Sequence, residues 1–431
     1  MEHTGSPAMK KMRIVWLSNK ALSECDRGAT GTWLDAMARG LVLSEQVQLA
    51  NIAQGQVSVV SRSDCGDVQQ WLVPNGARPK RGGLPGKRHV TGIIQAVEAF
   101  SPDLMHVWGT EVFWGLLSAR RLLGGPALLE MQGLKSAIAL VYSGGLSVRE
   151  QLACVGIKEV LKFSPMWRGR KQFARWGKFE REIIRGHRFV TVPSDWLESR
   201  IRAINPLANV LRNDLALREQ FCTAQPWAPQ NEPEIFCSAA YPSPFKGIHV
   251  AIRALALLKP MYPGVQLRVA GPFQRPGLRQ EGYVAWLNRE AEWLGVQDRV
   301  HWLGPLPAQA VVTEMQRCAA VVLPTFVEGS SVVLAEAMRL GVPCVASFVG
   351  GTSSLARDED SALFFPPGDA DMCAFQVGRL LGDRELAQRL SRRSRGIALV
   401  RNDGEAIVSR QLSIYRQVLA GNDVAGHQGE S

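Results

Sequence analysis

Nothing in this sequence reads as a metal knot, a membrane span or a repeat. Its eight cysteines, at 25, 65, 154, 222, 237, 318, 344 and 373, form no CxxC pair and no Cys/His cluster at ligand spacing. That excludes the common zinc classes and a disulfide scaffold, and the thiols read as reduced, in cytosol. Apolar runs are short. Met12–Leu17, after the polar start Met1–Lys11, is too brief for a signal-peptide core or a bilayer crossing, and nothing later reaches spanning length. No solenoid period appears, and glycine and proline are dispersed, so disorder is expected only at the ends. Acidic residues are in deficit, 39 against 50 Lys and Arg, for a net charge of +11. The excess calls for an anionic partner: nucleotide, membrane surface or nucleic acid.

What is present is an alternation of strand and helix patterns. A strand from Met12 leads into a loop with Gly28 and Gly31, then a helical pattern through Leu34, Met37, Ala38 and Leu41. Further strands are expected at Val57–Ser61, Leu104–Trp108, Ala127–Met131 and Arg188–Pro193. Pro226, Pro229 and Pro233 place a linker at 223–233. The alternation then restarts with strands at Glu234–Ala240, Val265–Ala270, Val300–Leu303, Ala319–Leu323 and Val342–Ala346. The fold class expected is α/β, with parallel sheets covered by helices. The domains are 10–222, 234–400 and a polar tail, 421–431.

The most informative segment is Val321–Gly351. A buried strand ends at Leu323-Pro324, the loop carries Glu328-Gly329-Ser330-Ser331, and a helix begins near Val332 with Glu336 in its early turns. Free N–H groups around Ser330, Ser331 and Val332, aided by the helix dipole, suit a diphosphate, and Gly329 admits close backbone approach. Glu328 and Glu336 are suited to hydroxyls. Taken alone they also read as a loop carboxylate and a solvated helix residue.

Together with Pro324, the Glu-Ala-Met run, Gly341-Val-Pro and Gly350-Gly351, this spacing of two glutamates resembles glycosyltransferase family 4. The resemblance is closest to members acting on bacterial surface polysaccharides. It implies a GT-B architecture, two facing Rossmann-like domains with an interdomain cleft and a helix about 401–420 crossing back to the first. It also implies retaining transfer from a nucleotide-diphosphate sugar to a glycan or lipid-linked acceptor, with no metal and no other cofactor. Glu328 would orient the sugar and Glu336 hold the ribose. Lys246-Gly247 matches the family's phosphate lysine, whereas Ala240 and Tyr241 stand where an arginine is expected. The turns at Gly271 and Leu306 resemble those that flank the base, and they also read as plain strand-to-helix turns.

In the first half, His106 coincides with the first histidine of a family His-x-His pattern, with Trp108 at the second. It reads either as a donor-side catalytic contact or as a buried core histidine. Glu111 and Gln132 are expected on the same cleft, with Gly28 and Gly31 as an acceptor-side loop or a plain helix entry. From Arg168 to Arg188, eight basic residues face only Glu180 and Glu182, interleaved with Trp167, Phe173, Trp176 and Phe179. This stretch reads as an amphipathic helix on the anionic inner face of the cytoplasmic membrane, or as a solvated helix packing its aromatics inward. No nucleic-acid motif accompanies the charge. Asp358-Glu-Asp360 has the DxD form used for metal in another transferase fold, but it falls in a polar turn. A degenerate scaffold and a nucleotide-sugar epimerase remain the rival functions.

Overall fold

The computed structural model describes residues 10–23, 33–75, 79–161, 165–273 and 281–427, with side chains to Gly421. Two sheets organise it. The first holds β1 (Met12–Ser18), β2 (Val47–Gly55), β3 (Ser61–Arg62), β4 (Gln69–Pro74), β5 (Leu104–Trp108), β6 (Ala127–Glu130), β7 (Phe189–Val192) and β8 (Asn209–Arg212). Their order is β3-β4-β2-β1-β5-β6-β7-β8, parallel except for β3, which runs antiparallel to β4. The second holds β9 (Glu234–Ser238), β10 (Gln266–Ala270), β11 (Val300–Gly304), β12 (Ala320–Leu323), β13 (Cys344–Ser347) and β14 (Leu363–Phe365). All pairings are parallel, in the order β11-β10-β9-β12-β13-β14.

Helices cover both faces, which is why β12 and β13 are buried at every position and apolar except for Ser347. The first sheet departs from the sequence expectation. Of Val57–Ser61 only Ser61 is in a strand, the start of β3, because Gly55 ends β2 and the chain turns there. The strand occupying that place in the sheet, β2, carries Asn51, which masks its apolar run. Asn51 is buried and satisfied sideways, by Ser18 at 2.8 Å and Gln70 at 2.9 Å.

One core fills the second domain, and two lie on the faces of the first sheet. The structure differs from the expected bounds 10–222 and 421–431. Leu146, Cys154 and Phe221 are buried in the second domain's core. The helix Gly404–His427 runs past Gly421, where the sequence places a tail, and Ile407, Leu412, Ile414, Tyr415 and Val418 are buried against β1 and the helix Trp33–Leu43 of the first domain. A break at Asn402 and Asp403 separates it from the helix Arg384–Arg401. The Asn402 amide donates to the Leu215 carbonyl, and Asp403 caps the new helix through the Ala406 amide.

In the second sheet the strand order reverses between β9 and β12. The carboxyl ends of these neighbours border a crevice, the usual ligand position in an open α/β sheet.

Candidate functional site

After β9 the chain makes a short 3-10 turn, Pro244–Lys246, and then Gly247 at φ 73°. A Cβ on Gly247 would lie 1.7 Å from the Pro324 carbonyl oxygen, so both conformation and space demand glycine. The loops after β9 and β12 are laced together here. The Phe326 amide and the Thr325 hydroxyl both donate to the Phe245 carbonyl, at 2.8 and 3.2 Å. This lacing brings Lys246 Nζ to 2.9 Å from Glu328 Oε2. Burial works against the ammonium charge, but Glu328 and Tyr241 outweigh it and raise the Lys246 pKa above its ordinary value.

The helix Val332–Leu340 starts at the crevice. Ser331 is its N-cap, the hydroxyl accepting from the Leu334 amide at 3.2 Å, while Val332 and Val333 line the cleft with their helix-end N–H groups. Glu336 is 2% exposed. Its carboxylate receives a two-pronged grip from Arg218, Nε to Oε1 at 2.8 Å and Nη2 to Oε2 at 3.0 Å. The guanidinium lies over the Phe221 ring, 4.6 Å from its centroid.

The first domain supplies the facing wall. Gly329 abuts it so closely that a Cβ there would be 2.3 Å from the Gln132 carbonyl oxygen, and the Ser194 hydroxyl donates to the Gly329 carbonyl at 2.7 Å. Glu111, just past β5, lines the cleft with its Oε2 shielded from solvent and unbonded. Burial raises its pKa to about 7, with Glu180 pushing the same way and Lys135 opposing. Between the walls is a cleft of about 620 Å³, the size of a small-molecule site.

The structure therefore gathers Glu328, Gly329, Ser330, Ser331, Val332 and Glu336 with Lys246 and Tyr241, and adds Gly271 and Leu306 at the β10 and β11 ends. Glu111 and Gln132 face them. The donor-side placement of His106 needs correction. It is fully buried off the cleft, Nδ1 bonded to the Tyr415 hydroxyl at 2.9 Å, and stacked on Trp108 at 4.3 Å, and its burial lowers the pKa. Gly28 and Gly31 lie outside the described residues. In the Asp358–Asp360 turn, Asp358 accepts from the Phe364 amide, while Glu359 and Asp360 pair with Arg379 and Arg393. Among the described residues, no three of His, Cys, Asp and Glu converge as a metal site, and no helix is long and apolar enough to cross a membrane.

Arg218 was not legible as a site residue. It belongs to no local motif, and its partner is 118 residues away. The basic stretch forms the helix Met166–Arg185. Trp176 packs inward and donates to the Thr110 carbonyl at 2.7 Å, and Glu180 is buried as a cap on the helix Lys135–Leu140, where it accepts from the Ser136 amide at 2.8 Å. Its arginines and lysines project outward.

Residues 223–396 match the family model described as "Glycosyl transferases group 1". A D-inositol 3-phosphate glycosyltransferase of Nocardia farcinica is 33% identical over 154 residues, 35% of this chain and 33% of that protein. A glycogen synthase of Mycobacterium tuberculosis is 29% identical over 170 residues, 39% of each chain. The chain thus spans about a third to two fifths of the length of these curated relatives. Among solved structures, sucrose-phosphate synthase of Thermosynechococcus elongatus superposes with a TM-score of 0.73 at 18% identity, covering 95% of this chain and all of that one. HepE of Anabaena, solved with UDP and glucose, gives 0.65 at 16% identity, covering 94% and 100%. At such identities the likeness is one of fold, and the fold is GT-B: two parallel-sheet α/β domains.

Proposed function

Residues 223–396 match the group 1 glycosyl transferase model, and on that premise we propose that the protein transfers a sugar, with retention, from a nucleotide-diphosphate sugar to a hydroxyl of a glycan or lipid-linked acceptor in surface polysaccharide synthesis. The observation that carries this reading is the convergence of Lys246, the Val332 helix end and two carboxylates, Glu328 and Glu336, in one interdomain cleft.

The chemistry follows from the charges. The donor diphosphate competes with Glu328 for Lys246 and seats against the helix N–H groups, which together neutralise the charge that develops as it leaves. These groups stand in for a metal, so the reading requires none. Glu328, released from Lys246, takes sugar hydroxyls. Glu336, held in place by Arg218, takes the ribose hydroxyls. The acceptor hydroxyl enters beside the leaving phosphate, on the face the phosphate vacates, and hands it a proton. Ala240 and Tyr241, where the resembling family has an arginine, leave Lys246 as the cation of that loop. The site works on the cytoplasmic side, in keeping with the seven described cysteines, all free. The outward cations of the helix Met166–Arg185 rest on anionic lipid.

The test is a binding and hydrolysis screen of UDP-, GDP-, ADP- and dTDP-sugars against wild type, Glu328→Ala and Lys246→Met. One donor should bind and be slowly hydrolysed by wild type. Lys246→Met should lose about 100-fold or more in rate, the scale of removing one transition-state donor. If no donor binds, a non-catalytic scaffold becomes the better account.

A further inference from the structure

Between β6 and β7 the chain leaves the first domain and straps across the second. Two short helices form the strap, Val148–Ala153 and Ile157–Leu161, and neither has a single buried residue. Their polarity is inverted. Glu150, Lys158 and Glu159 turn inward, to Arg253, to Glu281 at 2.7 Å and to the Gly282 amide at 3.1 Å. The side chains facing solvent are Val148 and Leu152 on one helix, and Ile157, Val160 and Leu161 on the other, 58 to 74% exposed. Spacings of four, and of three and four, put each set on one face. Leu140 and Trp167 adjoin them in sequence. Seven of the nineteen large apolar side chains exposed among the described residues thus fall between 140 and 167, a concentration that a solvated surface does not explain.

Leu146 and Cys154, buried in the second domain's core, and the polar side chains of its two helices hold the strap to its own protein, so the exposed apolar side chains are left for something else. The geometry points to these exposed side chains, with Arg149 on the first strap helix and the exposed Arg170 and Lys171 following in the chain, as a docking surface for an anionic lipid bilayer. Aliphatic side chains and a tryptophan enter the interfacial zone, and the exposed cations meet headgroup phosphates. Charge decides against a second copy, because a two-fold contact would set these cations against their own copies. The inference extends the lipid reading of the basic helix but is separable from it. It assigns the apolar contact to the strap, which that reading does not use.

Full-length protein is co-sedimented with vesicles of phosphatidylcholine, alone and mixed with phosphatidylglycerol. Wild type should partition onto the anionic vesicles. Ile157→Ser/Val160→Ser/Leu161→Ser should lose about tenfold or more of that partitioning, as should Val148→Ser/Leu152→Ser, with thermal unfolding unchanged in both. Should the strap variants bind like wild type while Arg170→Glu/Lys171→Glu does not, the basic helix docks alone and the inference fails. Absence of wild-type binding overturns both lipid readings and leaves the transferase reading to the donor screen. A wild-type dimer in analytical sedimentation that the strap variants abolish would instead make this face a contact between copies.

Discussion

Two carboxylates in the cleft are each held by a cation, and the two cations differ in kind. Lys246 is a compact charge on a flexible stem and can exchange Glu328 for phosphate, whereas the planar fork of Arg218 fits both oxygens of Glu336 and keeps them. Removing Arg218 would strip its two-pronged grip from a buried carboxylate, a loss of about 3–5 kcal/mol. The other singular residue is Glu111. Its folded pKa of about 7 lies above the ordinary 4.5, so its contribution to stability is complete below pH 4.5 and lost as pH rises through 7. Glu111→Gln stays neutral and should escape that loss. Wild type should fall behind the variant by up to about 3 kcal/mol between pH 5 and 8, measured by thermal unfolding across pH. Parallel curves would mean that Glu111 is already ionised in the folded state. At this scale the sequence was informative where function is local. The loop from Glu328 to Val332 is contiguous and was readable, while Arg218 and the burial that shifts Glu111 arise only from chain crossings.

At the level of elements, the junction of two loops governs the site. Gly247 sits against the Pro324 carbonyl, so Gly247→Ala must push the loop after β9 off the loop after β12. The expected outcome is an intact second sheet by circular dichroism, a fold-loss of about 10 or more in donor affinity, and a stability cost of about 1–3 kcal/mol. Unchanged donor binding would show that the lacing does not place Lys246. β12 was the most legible strand of the second domain, because a parallel strand buried on both faces is an unbroken apolar run, here ending at Pro324. β2 was not, since Asn51 interrupts its pattern and is satisfied only by neighbours in other strands. His106 could not be resolved from sequence for a similar reason. Its partner, Tyr415, returns from 309 residues away, and that hydroxyl also accepts from Trp16 Nε1 at 3.1 Å.

Across the whole molecule, the two domains are joined three times: by the linker, by the strap and by the last helix. The last contributes five buried side chains to the first domain's core, at about 1.5–3 kcal/mol each for full burial, a sum comparable with the stability of a domain. A chain ending at Asp403 should lose slow hydrogen exchange in β1 and β5 while β9, β12 and β13 keep theirs. Protection retained in β1 would mean that the first domain stands without the helix. The same feature sets an order in time. The first domain is synthesised first but lacks one wall of its core until residues 404–418 have emerged, whereas the second domain's sheet and helices are complete before then. On the ribosome, the half made later is therefore the first that can finish folding, and the earlier half, with Trp16 and Leu41 still uncovered, is the one that must wait in need of protection.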